Sequence, residues 1–160
     1  GRIILPEPQA LLTKASKMPG LDGQKMSKSY NNTIALRDDP ARVEKALRTM
    51  PTDPQRVRRS DPGEPEKCPV WQFHRIYSNG PVRDWVQQGC RSAGIGCLDC
   101  KQPIIDAVLA ELAPIQERAR EYEAQPELLR NVINDGCEAA REMARETMDE
   151  VRRAMSLVWA

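Results

Sequence analysis

Thirteen prolines punctuate these 160 residues, and each removes a backbone donor and fixes φ, so together they limit where regular structure can run. Pro6 and Pro8 close the short apolar run that follows Arg2, so residues 2–5 read as a strand cut short, the last strand of something larger. Pro19-Gly20 and Asp22-Gly23 are turn dipeptides within residues 13–33, a stretch rich in Lys, Gly, Ser and Asn that reads as a mobile cationic loop. Pro40 stands behind Asp38 and Asp39, where a helix start belongs. Val43, Ala46, Leu47 and Met50 then recur at helical spacing until Pro51 stops them. Pro51, Pro54, Pro62 and Pro65 lie among charges, which makes 51–66 an exposed linker and puts a domain boundary near residue 60.

Beyond Val70 the periodicity is helical, over roughly 70–78, 81–88, 102–123, 126–134 and 136–158, with Pro103 and Pro126 at helix starts and Pro114 placed to kink or divide the third segment. Ala140, Met143, Ala144, Met148, Val151 and Met155 fall on one stripe, the pattern of a helix packed in a bundle. The expected class is mainly α. Hydrophobic residues at 40% and charged residues at 29% exclude a disordered chain. Neither a bilayer-length apolar run nor a leader peptide is visible, so the expected location is the cytoplasm, away from membranes.

The formal charge of +1 is unevenly spread. Residues 1–60 hold 12 Lys and Arg against 6 Asp and Glu, and residues 61–160 hold 12 against 17. A polyanion is therefore best sought in the first part. There the pentapeptide Lys25-Met26-Ser27-Lys28-Ser29 places two ammonium groups three residues apart among small neighbours. Such flexible point charges can follow a phosphate as it moves, while small residues let backbone N–H groups reach the same oxygens.

This pentapeptide is similar to the second signature of the class I aminoacyl-tRNA synthetases, and a fixed pentapeptide arises at a given position only about once in a few million chances. The flanks narrow the likeness. Residues 5–13, residues 18–23 (Met18-Pro19-Gly20-Leu21-Asp22-Gly23) and Tyr30-Asn31-Asn32-Thr33-Ile34 resemble the bacterial tryptophanyl-tRNA synthetases, as do residues 113–118 and the final helix from Asp135-Gly136 to Leu157. The resemblance implies that residues 1–60 end a Rossmann catalytic domain with its lysine loop, and that residues 61–160 form a helical anticodon-binding domain. It implies an ATP-dependent ligase that activates tryptophan and transfers it to tRNA(Trp), with Mg2+ accompanying ATP. By the same resemblance Lys25 and Lys28 stabilise charge on the ATP phosphates, Met26 lies against the adenine by its backbone, and Ser27 and Ser29 hold the loop or the phosphates. The catalytic half with the amino acid pocket is missing from these residues, so this stretch alone is expected to be inactive and monomeric, the whole enzyme a homodimer.

Cys68, Cys90, Cys97 and Cys100 follow the pattern C-x21-C-x6-C-x2-C. In a cytoplasmic chain they read as metal ligands, and four thiolates suit tetrahedral Zn2+ and a [4Fe-4S] cluster equally. The resemblance favours the cluster, because a subset of bacterial tryptophanyl-tRNA synthetases carries this pattern behind a similar Cys68-Pro69-Val70-Trp71 start, near the anticodon-binding region. A structural role, or shaping of the anticodon pocket, is implied rather than redox chemistry. Cys137 reads as a packing residue, His74 as a packing or locally hydrogen-bonded residue or one placed near RNA or the cluster, Arg56, Arg58 and Arg59 as tRNA-backbone contacts or a solvated linker, and Trp85 and Trp159 carry no assigned function. Two other readings are a tyrosine-specific synthetase, which shares the lysine loop, and a non-catalytic RNA-binding or metal-holding module.

Overall fold

The computed structural model describes residues 3–13 and 15–157. Arg2, residue 158 and Trp159, which entered the strand, helix and aromatic expectations, lie outside the described residues. Among the described residues five α-helices follow one another: α1 (Pro40–Thr49), α2 (Pro69–Tyr77), α3 (Gly80–Arg91), α4 (Cys97–Ala124) and α5 (Pro126–Ala154). Among the described residues there is no β-strand, only an isolated bridge between Pro19 and Lys25. The strand expected at residues 2–5 is not formed over residues 3–5, where Ile3 and Leu5 are exposed and no partner strand supplies a ladder.

Two compact units divide the chain, Leu12–Arg118 and Gly1–Leu11 with Ala119–Ala160. In the first, α1 begins as its sequence dictates. Asp39 caps it by accepting from the Ala41 N–H at 2.9 Å, and Pro40 takes the first turn, where its missing N–H costs nothing. Val43, Leu47 and Met50 then meet Val70 and Phe73 of α2 and Ile104, Ile105, Val108 and Leu112 of α4 in one buried core. Lys101 ties this core together from within. Its buried ammonium donates to the carbonyls of Arg48 and Met50, both at 2.6 Å, satisfying the C-terminal end of α1 with a cation where the helix dipole favours one. Arg48 also reaches Gln102 at 2.9 Å, so α1 and α4 are joined by polar as well as apolar contacts.

α4 begins at Cys97, five residues before the expected start, because the Asp99 carboxylate caps it by accepting from the Gly96 N–H at 3.0 Å. It continues through Pro103 and Pro114 without dividing. The linker at 51–66 is also more ordered than its composition suggests, since Asp53 is buried and its carboxylate accepts from the N–H groups of Gln55 and Glu64 at 3.0 and 2.7 Å.

In the second unit, the two helices expected over 126–134 and 136–158 are one, α5, which passes through Asp135-Gly136 unbroken. None of its residues is buried, and Met143 of the apolar stripe is 68% exposed. The stripe expected to pack in a bundle therefore stands open among the described residues.

Candidate nucleotide loop and thiol centre

The lysine loop is a hairpin with a hinge residue in left-handed conformation. Gly23, at φ +84°, lets the chain reverse so that the Gly20 N–H donates to the Gln24 carbonyl at 2.6 Å and the Met26 N–H to the Met18 carbonyl at 2.9 Å. Ser27 then caps a single 3-10 turn, Lys28–Tyr30, by accepting from the Ser29 N–H at 3.3 Å. The turn ends at Asn31, whose φ of 52° an asparagine tolerates. Lys25, Lys28 and Ser29 are exposed, Met26 and Ser27 half-buried. Neither lysine is engaged in an ion pair among the described residues.

A buried asparagine holds these groups in place. Asn32 is 3% exposed; its Oδ1 accepts from the Ser27 N–H at 2.8 Å, and its Nδ2 donates to the Asp22 carboxylate at 2.7 Å and to the Lys25 carbonyl at 3.2 Å. One side chain thus spans the pentapeptide from Lys25 to Ser27 and fastens it to the hairpin's turn. Asn32, first, and the Gln24 N–H hold the Asp22 carboxyl below its ordinary range. Gly20 makes room for this arrangement, since a Cβ there would lie 2.2 Å from Asn32 Nδ2.

The four cysteines sit at the ends of three helices. Cys68 caps the N-terminus of α2, Cys90 lies in the last turn of α3, and Cys97 and Cys100 occupy the first turn of α4. Chain folding brings all four to one small cavity of about 20 Å³, also lined by Thr52, Asp53, Arg56 and Val70. The cavity as it stands has room for roughly one water. Among the described residues, no three His, Cys, Asp or Glu donors are gathered closely enough to clasp a single ion. Any larger group would stand among the thiols only if they spread apart.

Burial pushes the Cys68 thiol up, opposed by the N–H groups of Val70, Asp53 and Trp71 around it. It also pushes Cys100 up to about 12, reinforced by the neighbouring thiols of Cys68, Cys90 and Cys97. Such thiols stay protonated until a cation takes them as thiolates. Two features nonetheless suit negative charge here: the N-terminal ends of α2 and α4, and the guanidinium of Arg56. Arg56 Nη1 lies 3.9 Å from Cys90 Sγ, and Arg56 Nε, also buried, has no hydrogen-bond partner. A buried donor without a hydrogen-bond partner thus stands beside four thiols whose chemistry suits a thiolate-bound group.

His74 packs in the interior and also stands against the thiol centre, with Nε2 3.4 Å from Cys100 Sγ. Its ring is buried, with Nδ1 2.8 Å from Ser78 Oγ and Nε2 3.1 Å from the Cys100 carbonyl, and burial lowers its pKa to about 4. Cys137, by contrast, is exposed rather than packed. Arg56 is buried, so a surface contact with tRNA is not its place, whereas Arg58 and Arg59 are exposed. Sequence reasoning gave Asn32 and Lys101 no role of their own. Nothing local distinguishes Asn32 from Asn31, and a buried lysine reads as any surface lysine until α1 is laid against it.

The family described as tRNA synthetases class I (W and Y) matches residues 1–113. The chain belongs to this class I tRNA synthetase family. Within it, the similarity runs to tryptophan enzymes. The chain is 65% identical over 159 residues to the tryptophan–tRNA ligase of Ralstonia nicotianae, covering 99% of this chain and 40% of that one. It is 46% identical over 157 residues to that of Thermotoga maritima, covering 98% and 48%. The solved tryptophanyl-tRNA synthetase of Campylobacter jejuni, complexed with ADP and tryptophan, superposes with a TM-score of 0.72 at 25% identity over 88% of this chain and 43% of that one. The chain thus spans less than half the length of these relatives.

Proposed function

We propose that this chain is the carboxy-terminal part of a tryptophanyl-tRNA synthetase, and that it supplies the phosphate-handling loop and the anticodon-side helices of an enzyme joining tryptophan to tRNA(Trp). In this reading residues 1–60 close the catalytic domain and residues 61–160 form the anticodon-binding domain, with ATP, Mg2+, tryptophan and tRNA(Trp) as the partners of the whole, which is cytoplasmic and homodimeric. The observation that carries it is the pair of exposed, unpaired lysines, Lys25 and Lys28, on a loop whose backbone is fastened by Asn32. Free ammonium groups on a fastened loop can meet the ATP phosphates without first breaking an ion pair.

As the tryptophan carboxylate attacks the α-phosphorus, negative charge builds on the departing pyrophosphate. Lys25 and Lys28 act where that charge grows, which lowers the barrier to the extent that their contacts strengthen in the transition state. The half-buried Met26 offers its backbone to the adenine, and Ser27 and Ser29, whose N–H groups hold the loop together, present their hydroxyls to phosphate oxygens. In the whole enzyme Lys28→Ala is expected to slow tryptophan-dependent pyrophosphate exchange by roughly 10²–10³-fold, the range for one lost charge-stabilising donor. tRNA affinity should stay within about twofold, since one surface cation among many phosphate contacts contributes little to it. Equal losses of both would favour a binding module over a catalyst.

Cys68, Cys90, Cys97 and Cys100 would hold a [4Fe-4S] cluster. Support comes from their convergence on one cavity, from the unpaired Arg56 donor beside them and from the cysteine pattern itself. When bound, such a cluster supplies a rigid anionic node joining the ends of three helices. Zinc is the alternative occupant, and iron, sulfide and zinc analysis of the anaerobically purified enzyme decides between them.

A further inference from the structure

The wall of the thiol cavity holds one feature that the proposed function leaves unexplained. Arg56 is 8% exposed. Its Nη2 donates to the carbonyls of Arg59 and Ile95 at 3.0 and 2.6 Å, which anchors the side chain from one edge and fixes the plane of its guanidinium. Its Nη1 has only the sulfur of Cys90, 3.9 Å away. Its Nε is, among the described residues, the one buried side-chain nitrogen or oxygen without any partner.

Asp53, the carboxylate on the same cavity wall, is turned to the N–H groups of Gln55 and Glu64 and makes no hydrogen bond to Nε, although the Arg56 charge helps to hold its carboxyl below the ordinary range. A buried guanidinium donor left bare is unusual in a folded protein, and a fork already anchored on its far edge has little freedom to seek another acceptor. Beside Thr52, the cavity wall offers four sulfurs, and one of them, Cys90 Sγ, is already the neighbour of Nη1.

We infer that Arg56 is the sulfur-directed positioning residue of the four-cysteine centre: Nη1 and Nε donate to the Cys90 sulfur and to a neighbouring sulfur of the bound group, compensating its negative charge. The inference rests on the reading of Cys68, Cys90, Cys97 and Cys100 as ligands of a metal–sulfur group. It goes beyond that reading by assigning the group's partner in the surrounding shell. Hydrogen bonds to ligand sulfur withdraw electron density from it, which disfavours protonation and release of the ligand and raises the reduction potential of a cluster. Gly63 helps to keep this arrangement tight, since a Cβ there would lie 2.7 Å from Cys90 Sγ and 3.1 Å from Arg56 Cδ.

The test uses the full-length enzyme, purified anaerobically, with Arg56→Gln and Arg56→Lys. Wild type, each variant and the chelator-stripped form of each are compared by metal and sulfide content, by the rate of cluster bleaching under a fixed chelator concentration, by the cluster's midpoint potential and by thermal melting. Arg56→Gln is expected to bleach on the order of tenfold faster, in line with lost outer-shell bonds to a metal ligand. Its midpoint potential should be lower than wild type. Arg56→Lys, which keeps the charge and loses the fork, should fall between the two. Melting of the loaded form should drop by more than melting of the stripped form. Bleaching and potential unchanged in Arg56→Gln would overturn the inference, as would equal losses of melting temperature in the loaded and stripped forms, the mark of a residue that only ties the linker to Ile95. Should the wild-type centre be zinc, the same comparison is made on the rate of zinc release. A wild-type enzyme without iron, sulfide or zinc would instead overturn the reading of the four cysteines themselves.

Discussion

Asn32 links a hairpin turn to a pentapeptide through one amide, and its removal tests how much of the loop's order that amide carries. Asn32→Ala strips partners from the Ser27 N–H and the Lys25 carbonyl, each in a part-buried setting. Leaving such groups unsatisfied costs about 1–3 kcal/mol. The Ser27 amide should then exchange with solvent roughly 5- to 150-fold faster, while the α1 core, which Asn32 does not enter, keeps its protection. A Ser27 amide exchanging at the wild-type rate would show that the Lys28–Tyr30 turn orders itself. The same substitution has a pH signature. The folded-state pKa of Asp22 is held below its ordinary 3.8, chiefly by Asn32. The stability this gives the loop is therefore present above pH 3.8 and lost as pH falls through the folded value. Without Asn32 the Asp22 carboxyl should titrate at higher pH, an upward shift readable by carbon-detected NMR. The pentapeptide was legible in sequence because its chemistry is local. The asparagine that holds it was not, because its partners, Asp22 and Lys25, are 10 and 7 residues away and only the fold selects them.

At the scale of elements, helix starts were the most legible feature and helix continuity the least. Pro40 behind Asp39 marked α1 correctly, because N-cap and first-turn preferences act within a few residues. Asp135-Gly136 marked a break that does not exist, since a glycine only weakens a helix and α5 runs through it on the propensity of its Ala, Arg, Glu and Met neighbours. That error yields a prediction. Gly136 is helical, its φ is not positive, and a Cβ built on it meets nothing within 4 Å. Gly136→Ala should therefore stabilise α5 by about 0.5–1 kcal/mol, the backbone-entropy difference between the two residues. Higher mean residue ellipticity and a raised melting point of the α5 transition would bear this out. An unchanged or lowered melting point would mean that a partner surface needs the glycine's bare backbone. Pro114, of the two outcomes expected of it, does not divide α4, which continues past it to Ala124.

At the scale of the whole molecule, the larger unit is secured in two places of different character. One is the apolar core of α1, α2 and α4, pinned by Lys101. The other is the thiol cavity, where the starts of α2 and α4, the last turn of α3 and the linker residues Asp53 and Arg56 converge and which shares Val70 with the core. The spacing of the cysteines announced the second place, yet not that Arg56 would line it. That fact depends on the linker folding inward around Asp53, which proline-rich composition argued against. The two places should come apart on removal of the proposed metal group. A chelator applied under reducing conditions withdraws what joins three helix ends while leaving the apolar core intact. Amides of the linker, the α3 C-terminal turn and the α4 first turn should lose protection first, and those of Val43, Leu47, Ile105 and Val108 should keep it until global unfolding. The core can persist alone because its nine buried residues pack against one another with no thiol among the nine. Uniform loss of protection across both regions would show that the metal group holds up the entire unit, as in small domains that fold only when loaded. No loss anywhere would show that the four thiols bind nothing on which the fold depends.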